Sequence, residues 1–156
     1  MNRAAAVVLC LALASTGPAL ASSDLDAASK KTLHDYTLTL AKIKAYDAAN
    51  GALTAAEKSD PGLKADAEAA ASEHTNSMAG EFAKLTHHPR VFAFFAKQGL
   101  SKEDAVLIPL TLMSACMVVQ YPSAAKTLAD QTSGAQIAFC KQNMAALKTM
   151  KFFGGG

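Results

Sequence analysis

The sequence predicts an all-α protein, an up-and-down bundle of four main helices with one or two short helices added. Its composition is rich in alanine, leucine and lysine, which favour helices. Apolar residues recur at intervals of three and four along most of the chain, as they do on one face of a helix. No segment alternates apolar and polar residues between hairpin turns, so we expect no strand.

The first 21 residues have the three parts of a secretory signal peptide. Arg3 gives a positive start, residues 4–14 form an unbroken apolar run, and Ala19-Leu20-Ala21 is a small-x-small cleavage site. The run is too short for a permanent membrane anchor, so we expect no transmembrane segment after cleavage. The mature chain, 22–156, should form a single helical domain in the periplasm or outside the cell.

The first helix of this domain is predicted over about 24–50. Ser23 and Asp26 can cap it, and Gly51 stands where a residue in the left-handed conformation ends a helix. A loop with one helical turn should follow over 51–62. The apolar stripe of this helix consists of Leu33, Tyr36, Leu40 and Ile43.

The second helix is predicted over about 63–85, and a short third helix over 89–98. Pro89 suits the first turn of the third helix, and Gly99 should end it. The second helix has an apolar face opposite most of its charges. That face consists of Leu63, Ala67, Ala70, His74, Met78, Phe82 and Leu85.

The fourth helix, predicted over 105–119, has scarcely a polar residue. Ser101 and Asp104 form a capping box just before it. A helix that is apolar all round belongs in the centre of a domain. Pro109 removes one backbone hydrogen bond from it, and the kink expected there would spread neighbouring helices around a ligand pocket.

The last helix should start at Ser133, with Gln136 as its capping partner, and reach about Met150. A short helix over 123–130 precedes it. Its inward stripe consists of Ile137, Cys140, Met144 and Leu147.

Two cysteines, Cys116 and Cys140, remain after signal cleavage and predict a disulfide in an oxidising compartment. The two residues can meet if the last helix packs antiparallel to the central one. The bond would close a loop of about 25 residues and stabilise the fold by roughly 3 kcal/mol in the chain-entropy model. Two buried free thiols are the alternative.

Two segments resemble a group of small secreted bacterial all-helical proteins that remain uncharacterised. They are the run from Phe95 through Gly99 to Ser101, before an apolar helix, and Ala138-Phe139 in the last helix. The resemblance covers roughly residues 87–147. It implies the fold class and an extracytoplasmic location, and it implies no catalytic residue.

Charge excludes one class of partner. The chain carries 15 Lys and Arg against 13 Asp and Glu, without a run of like charge. A nucleic-acid binding protein would show a basic stripe, so we expect no nucleic acid as a partner. Arg90 is the only arginine outside the signal peptide, which argues against bidentate recognition of phosphate.

Haem of the b type is one alternative for function. The chain has no Cys-x-x-Cys-His motif for covalent attachment of a c-type haem. A b-type haem needs only a histidine and a methionine on facing helices. His74 is the candidate, with Met113, Met117 or Met144 opposite. Ordinary core packing is the competing interpretation, because methionine fills gaps in cores.

Copper is a second alternative. His74 and Met78 are four residues apart, and so are Met113 and Met117, so each pair shares a helix face. Imidazole and thioether ligands suit Cu(I). A free Cys116 would add a thiolate, whereas a disulfide would remove it. We expect Met113 and Met117 to be buried, since the central helix is apolar all round.

No other motif points to a metal or to catalysis. The Glu-x-x-His spacing of a di-metal carboxylate site is absent. His87 and His88 are adjacent at a helix end and should point apart, and His34 and Asp35 should also face different directions. No phosphate loop, zinc-protease motif or nucleophile elbow occurs, so we do not expect an enzyme.

The function we expect is therefore non-catalytic: a secreted or periplasmic helical protein that binds a ligand or a partner. A haem- or copper-binding protein for electron transfer or metal handling is the alternative. The candidate ligand-binding residues are His74, Met78, Met113 and Met117.

Overall fold

The computed structural model describes residues 25–73, 75 and 77–153, and the regular structure of this part of the chain is helical. The all-α prediction is confirmed, but the described residues form eight α-helices, more than the four main helices and one or two short ones expected. The predicted signal peptide and His74 lie outside the described residues, so both stay predictions. The elements are α1 (Ala27–Asp35), α2 (Leu40–Glu57), α3 (Pro61–Ser72), α4 (Met78–His87), α5 (Pro89–Lys97), α6 (Lys102–Gln120), a 3₁₀ turn (Pro122–Ala124), α7 (Ala125–Leu128), α8 (Gly134–Leu147) and a second 3₁₀ turn (Lys151–Phe153).

The first predicted helix is in fact two helices, because the chain is not helical between α1 and α2 at 36–39. Asp26 caps α1, since its carboxylate accepts a hydrogen bond from the N–H of Ser29 at 2.6 Å; Ser23, the other predicted cap, lies outside the described residues. The Thr39 hydroxyl caps α2 by accepting from a backbone N–H at 3.3 Å. A threonine that bonds to the backbone competes with helix continuation, so this cap sets a new helix start.

The predicted loop over 51–62 is wrong in its first half, since α2 continues through Gly51 to Glu57. Glycine within a helix costs about 1 kcal/mol relative to alanine. Leu53 is 1% exposed, and full burial of a leucine contributes about 1.5–3 kcal/mol, which outweighs that cost. The chain turns later, at Asp60, whose carboxylate caps α3.

The second predicted helix is also interrupted, because α3 ends at Ser72 and α4 begins at Met78. The Ser77 hydroxyl caps α4 by accepting from the N–H of Gly80 at 3.2 Å. The connection lies close against α4: a Cβ at Gly80 would be 2.7 Å from the Cβ of Thr75. The predicted apolar face is nevertheless largely in the core, with Leu63, Ala67, Ala70, Met78 and Leu85 buried.

The predicted signals around α5 and α6 are confirmed. Pro89 begins α5, and Gly99 beyond its end has φ +76°, the left-handed conformation that glycine favours. At the start of α6 the Ser101 hydroxyl accepts from the N–H of Asp104 at 3.0 Å, and the Asp104 carboxylate accepts from the N–H of Ser101 at 3.2 Å. The groups that fix these helix ends lie only a few residues from one another in the sequence.

The α6 helix lies at the centre of the domain, in contact with α1, α2, α4, α5, α7 and α8. Within the described chain it is the one helix long and apolar enough to cross a membrane by length and composition, and 72% of that apolar window is buried inside the protein. Pro109 is buried in it as well. Contact with six helices accounts for its apolar character on all sides.

The α8 helix packs against α6, and a disulfide joins Cys116 near the end of α6 to Cys140 in the first half of α8. Beyond α8, the ring of Phe152 lies 5.6 Å from that of Tyr46, which packs 5.3 Å from Phe95. The C-terminal tail therefore packs against α2 and α5. The disulfide prediction is confirmed.

Candidate functional site

The side chain of Gln136 fixes the end of α1 against the start of α8. Its Nε2 lies 2.8, 3.1 and 2.7 Å from the carbonyl oxygens of Leu33, His34 and Tyr36, to which it donates. Gln136 is 2% exposed, and its Oε1 accepts from the N–H of Ser133 at 2.8 Å. The last carbonyls of a helix have no partner within the helix, so this amide satisfies the open end of α1.

A second polar cluster holds the break between α1 and α2 against α6. The Tyr36 hydroxyl and Lys42 Nζ donate to Asp104 Oδ1 at 2.6 and 2.7 Å. Burial raises the pKa of Asp104, but hydrogen bonds from Lys42 and Tyr36 outweigh it and the pKa falls to about 2. Burial, together with the Asp104 carboxylate, raises the pKa of Tyr36. Tyr36 therefore remains a hydrogen-bond donor and Asp104 an acceptor. The cluster has a structural role.

Two shallow hollows open to solvent, here called openings, lie side by side along α1. The first opening, of about 550 Å³, is bounded by α1 and the connection from α7 to α8. The second, of about 170 Å³, continues along residues 36–38 to the start of α8 and shares His34 and Asp35 with the first. We call both openings together the α1 groove. Its ionisable side chains near α1 and α7 are Lys30, Lys31, His34, Asp35 and Asp130.

Two charged residues of the α1 groove are not used by the fold. Lys31 bonds to one oxygen of Asp35, and His34 Nδ1 lies 3.1 Å from the other, so the sequence expectation for His34 and Asp35 is wrong. Hydrogen bonds from Lys31 and His34 lower the pKa of Asp35. The side chains of Lys30 and Asp130 line the same opening without an ion pair or hydrogen bond to any described residue. They place opposite, unpaired charges on the two walls of the groove.

The adjacent histidines do not point apart, because both reach one carboxylate. His87 Nδ1 and His88 Nε2 each lie 3.3 Å from an oxygen of Glu73. His88 Nδ1 also lies 2.7 Å from Asp66 Oδ1, so the cluster ties α3 to the corner between α4 and α5. Among the described residues, no three His, Cys, Asp or Glu side chains are grouped so that they could hold a metal ion.

The candidate ligand residues predicted from the sequence differ in their exposure to solvent. Met78 is 4% exposed and belongs to the core. Met113 is half-buried and Met117 is 41% exposed, so the expected burial of these two residues is wrong. Cys116 is in a disulfide and supplies no thiolate. His74, the remaining candidate, lies outside the described residues.

No sequence pattern singles out the residues of the α1 groove. The four-residue spacing of Lys31 and Asp35 predicts an ion pair on one helix face and no more. Gln136 is recognisable as a capping residue, but its bonds to α1 join residues 100 to 103 positions apart. Pro109, the residue that suggested a pocket, is buried inside α6 and lines neither opening.

These observations define an all-α, disulfide-linked protein with a polar surface groove. Comparisons of the chain with protein-family models, with curated proteins and with solved structures find no match. The groove and its charges are therefore the basis on which a function can be proposed.

Proposed function

We propose that the protein is a non-catalytic binding protein of the periplasm or the extracellular space. Its α1 groove would take a small zwitterion, such as an amino acid or a short peptide. One observation carries this proposal: Lys30 and Asp130 line one opening with opposite charges and without described partners. The ligand carboxylate would face Lys30, and its ammonium group would face Asp130.

The use of the buried polar side chains supports binding rather than catalysis. Gln136 closes the end of α1, and Asp104 receives donors from two other elements. The clustered imidazole of His88 links two carboxylates. Each of these groups is engaged in holding helices together, whereas catalysis requires an acid, base or nucleophile in reach of a substrate.

The location outside the cytoplasm is supported by two independent features. The first 21 residues have the pattern of a signal peptide. The Cys116–Cys140 bond is of the kind that persists in oxidising compartments. The resemblance to small secreted helical proteins agrees with both and stays a prediction.

We expect weak binding, because exposed ion pairs contribute only about 0–1 kcal/mol each. With a few hydrogen bonds added, the dissociation constant should be on the order of 1 mM, which corresponds to about −4 kcal/mol. A method that detects fast, weak exchange is therefore required.

The test is an NMR titration of the mature, disulfide-bonded protein with the dipeptide Ala-Ala. We expect saturable amide shifts confined to α1 and to residues 129–136. The matched control is the same dipeptide acetylated at its amino end and amidated at its carboxyl end, which lacks both charges. Equal shifts with the capped dipeptide, or no shifts with the free one, would contradict the proposal.

Two charge-neutralising variants locate the site. Lys30→Met and Asp130→Asn should each weaken dipeptide binding about fivefold, which is the equivalent of 1 kcal/mol. Both positions lack a described partner, so neither change should unfold the protein. Lys58→Met, an exposed residue beyond the end of α2, is the matched control and should leave the affinity unchanged.

A haem-dependent function remains the alternative prediction. Its histidine ligand, His74, lies outside the described residues, and Met117 is at the surface rather than facing a buried cofactor. Absorption spectroscopy of protein purified from the periplasm tests it directly: a Soret band that disappears in His74→Ala would support haem, and its absence would exclude haem.

A further inference from the structure

The second opening of the α1 groove differs in chemistry from the first. It is the smaller and the more enclosed of the two, and it continues from the first because His34 and Asp35 line both. The charged side chains without a described partner, Lys30 and Asp130, line the first opening alone. A ligand held by those two charges therefore lies beside the second opening.

Most polar side chains of the second opening already have partners within the protein. They are His34, Asp35, Tyr36, Ser133 and Gln136. The exception is Thr37, which is exposed to solvent. A charged or polar ligand group would exchange bonds to water for bonds that these side chains already make, so it would gain little affinity there.

The apolar side chains of the second opening are the groups that remain for a ligand to contact. Leu38 is 7% exposed, Phe139 is half-buried and Ala135 is exposed. Leu38 belongs to the hydrophobic core and Phe139 packs against it, so the fold fixes both positions. Covering such surface with an apolar group removes it from water, which is favourable. The second opening therefore suits an uncharged, apolar side chain.

We propose that the second opening is a side-chain subsite of the α1 groove that selects zwitterions with an apolar side chain of leucine size. This subsite depends on the proposed function, because Lys30 and Asp130 must first hold the charged groups of the ligand. Binding sites commonly combine an apolar lining with a few polar groups that fix the orientation of the ligand. The two openings divide these tasks between them.

The length of a dipeptide fits this arrangement. His34, which lines both openings, follows Lys30 by one helical turn, or about 6 Å along α1. Two extended residues span about 7 Å. A dipeptide with one end at Lys30 therefore extends to the border of the second opening, where one of its side chains can enter.

The expected gain depends on the extra apolar surface of leucine. Leucine has three more carbon atoms than alanine, and full burial of each would strengthen binding about fourfold. The second opening faces solvent, so a bound side chain is covered on one side only. With about half of the extra surface covered, Leu-Leu should bind about eightfold more tightly than Ala-Ala.

The test compares three dipeptides by NMR titration of the mature, disulfide-bonded protein. They are Ala-Ala, Leu-Leu and Asn-Asn. Asparagine has nearly the shape of leucine but a polar amide, so Asn-Asn is the matched control and should bind no more tightly than Ala-Ala. We expect Leu-Leu to show the eightfold lower dissociation constant and to shift the amides of 36–38 and Phe139 in addition to those of the first opening.

A variant of the protein tests the location. Ala135→Gln places a polar amide in the second opening, and an apolar side chain would have to strip water from it. The variant should bind Leu-Leu no more tightly than Ala-Ala, with its affinity for Ala-Ala unchanged. Ala138→Gln is the matched control, since Ala138 is exposed on the same helix and lines neither opening. It should keep the eightfold preference.

The outcomes separate the subsite from the proposed function. If none of the three dipeptides binds, the α1 groove is not a zwitterion site and both proposals fail. If Ala-Ala binds and Leu-Leu binds no more tightly, the groove remains a zwitterion site and the subsite is overturned. An equal preference for Leu-Leu in the wild type and in Ala135→Gln would also overturn it, because the leucine side chain would then bind elsewhere.

Discussion

The two halves of the described chain are held together in different ways. In the C-terminal half, α6 and α8 both begin at capping boxes, and a disulfide joins them. In the N-terminal half, α1 and the start of α2 depend on Gln136 and Asp104, which lie more than 60 residues further along the chain. The comparison teaches that a full capping box is readable from a sequence, whereas a lone cap such as Thr39 or Ser77 and an anchor about 100 residues away such as Gln136 are not.

The largest effect should come from the buried ion pair of the N-terminal half. Lys84 Nζ lies 3.0 Å from Glu81 Oε1, with side chains 5% and 2% exposed, and the Thr75 hydroxyl donates to the same oxygen. Lys84→Met leaves a buried carboxylate without its cation, so we expect a loss of about 3–5 kcal/mol in urea unfolding.

The double variant Lys84→Met with Glu81→Leu is the control. It removes both charges, so it should be clearly more stable than the single variant. A single variant as stable as the wild type would show that the N-terminal half does not depend on this polar contact.

Loss of the disulfide tests the C-terminal half. Replacing both Cys116 and Cys140 by alanine should lower the free energy of unfolding by about 3 kcal/mol, because the unfolded chain is no longer constrained. Chemical reduction of the wild-type protein serves as the control and should give a similar loss. If neither change lowers the free energy of unfolding, α6 and α8 are held in place without help from the disulfide.

Gln136→Leu should affect the N-terminal half although the residue is in the C-terminal one. It leaves the carbonyls of His34 and Tyr36 without their side-chain donor and the Leu33 carbonyl with only the N–H of Tyr36, and we expect a loss of about 2 kcal/mol. Hydrogen exchange should become faster in α1 and stay slow in the centre of α6. Gln142→Leu, exposed on the same helix, should change stability by less than about 0.5 kcal/mol. If hydrogen exchange in α1 is equally slow in Gln136→Leu and Gln142→Leu, Gln136 does not anchor α1.

The smallest effect should be a pH dependence at Asp104. Its pKa is about 2 in the folded protein, below the ordinary 3.8. A lowered pKa contributes stability that is present above about pH 4 and is lost as the pH falls towards 2. Unfolding of wild type and Asp104→Asn should therefore differ above pH 4 and converge near pH 2. A constant difference over this range would exclude the effect.

The α1 groove and the exposure of the methionines were predictable to different degrees. Met113 and Met117 are visible as a four-residue pair in the sequence, but their exposure is not, since α6 is apolar all round. Lys30 and Asp130 carry no pattern at all, because the groove between them arises from the packing of α1 beside the α7–α8 connection. Composition and periodicity describe single helices, whereas a site between helices depends on how they pack.

By itself the sequence determined the all-α class, the start of α5, the capping boxes of α6 and α8, the central place of α6 and the pairing of Cys116 with Cys140. These features depend on groups close together in the chain or on overall hydrophobicity. Only the tertiary structure decided the break at 36–39, the end of α3 at Ser72, the continuation of α2 through Gly51, and the exposure of Met117. The physical reason is that backbone hydrogen bonds lost at a break are replaced by side chains far away in sequence, and burial at one position can outweigh the local preference of another.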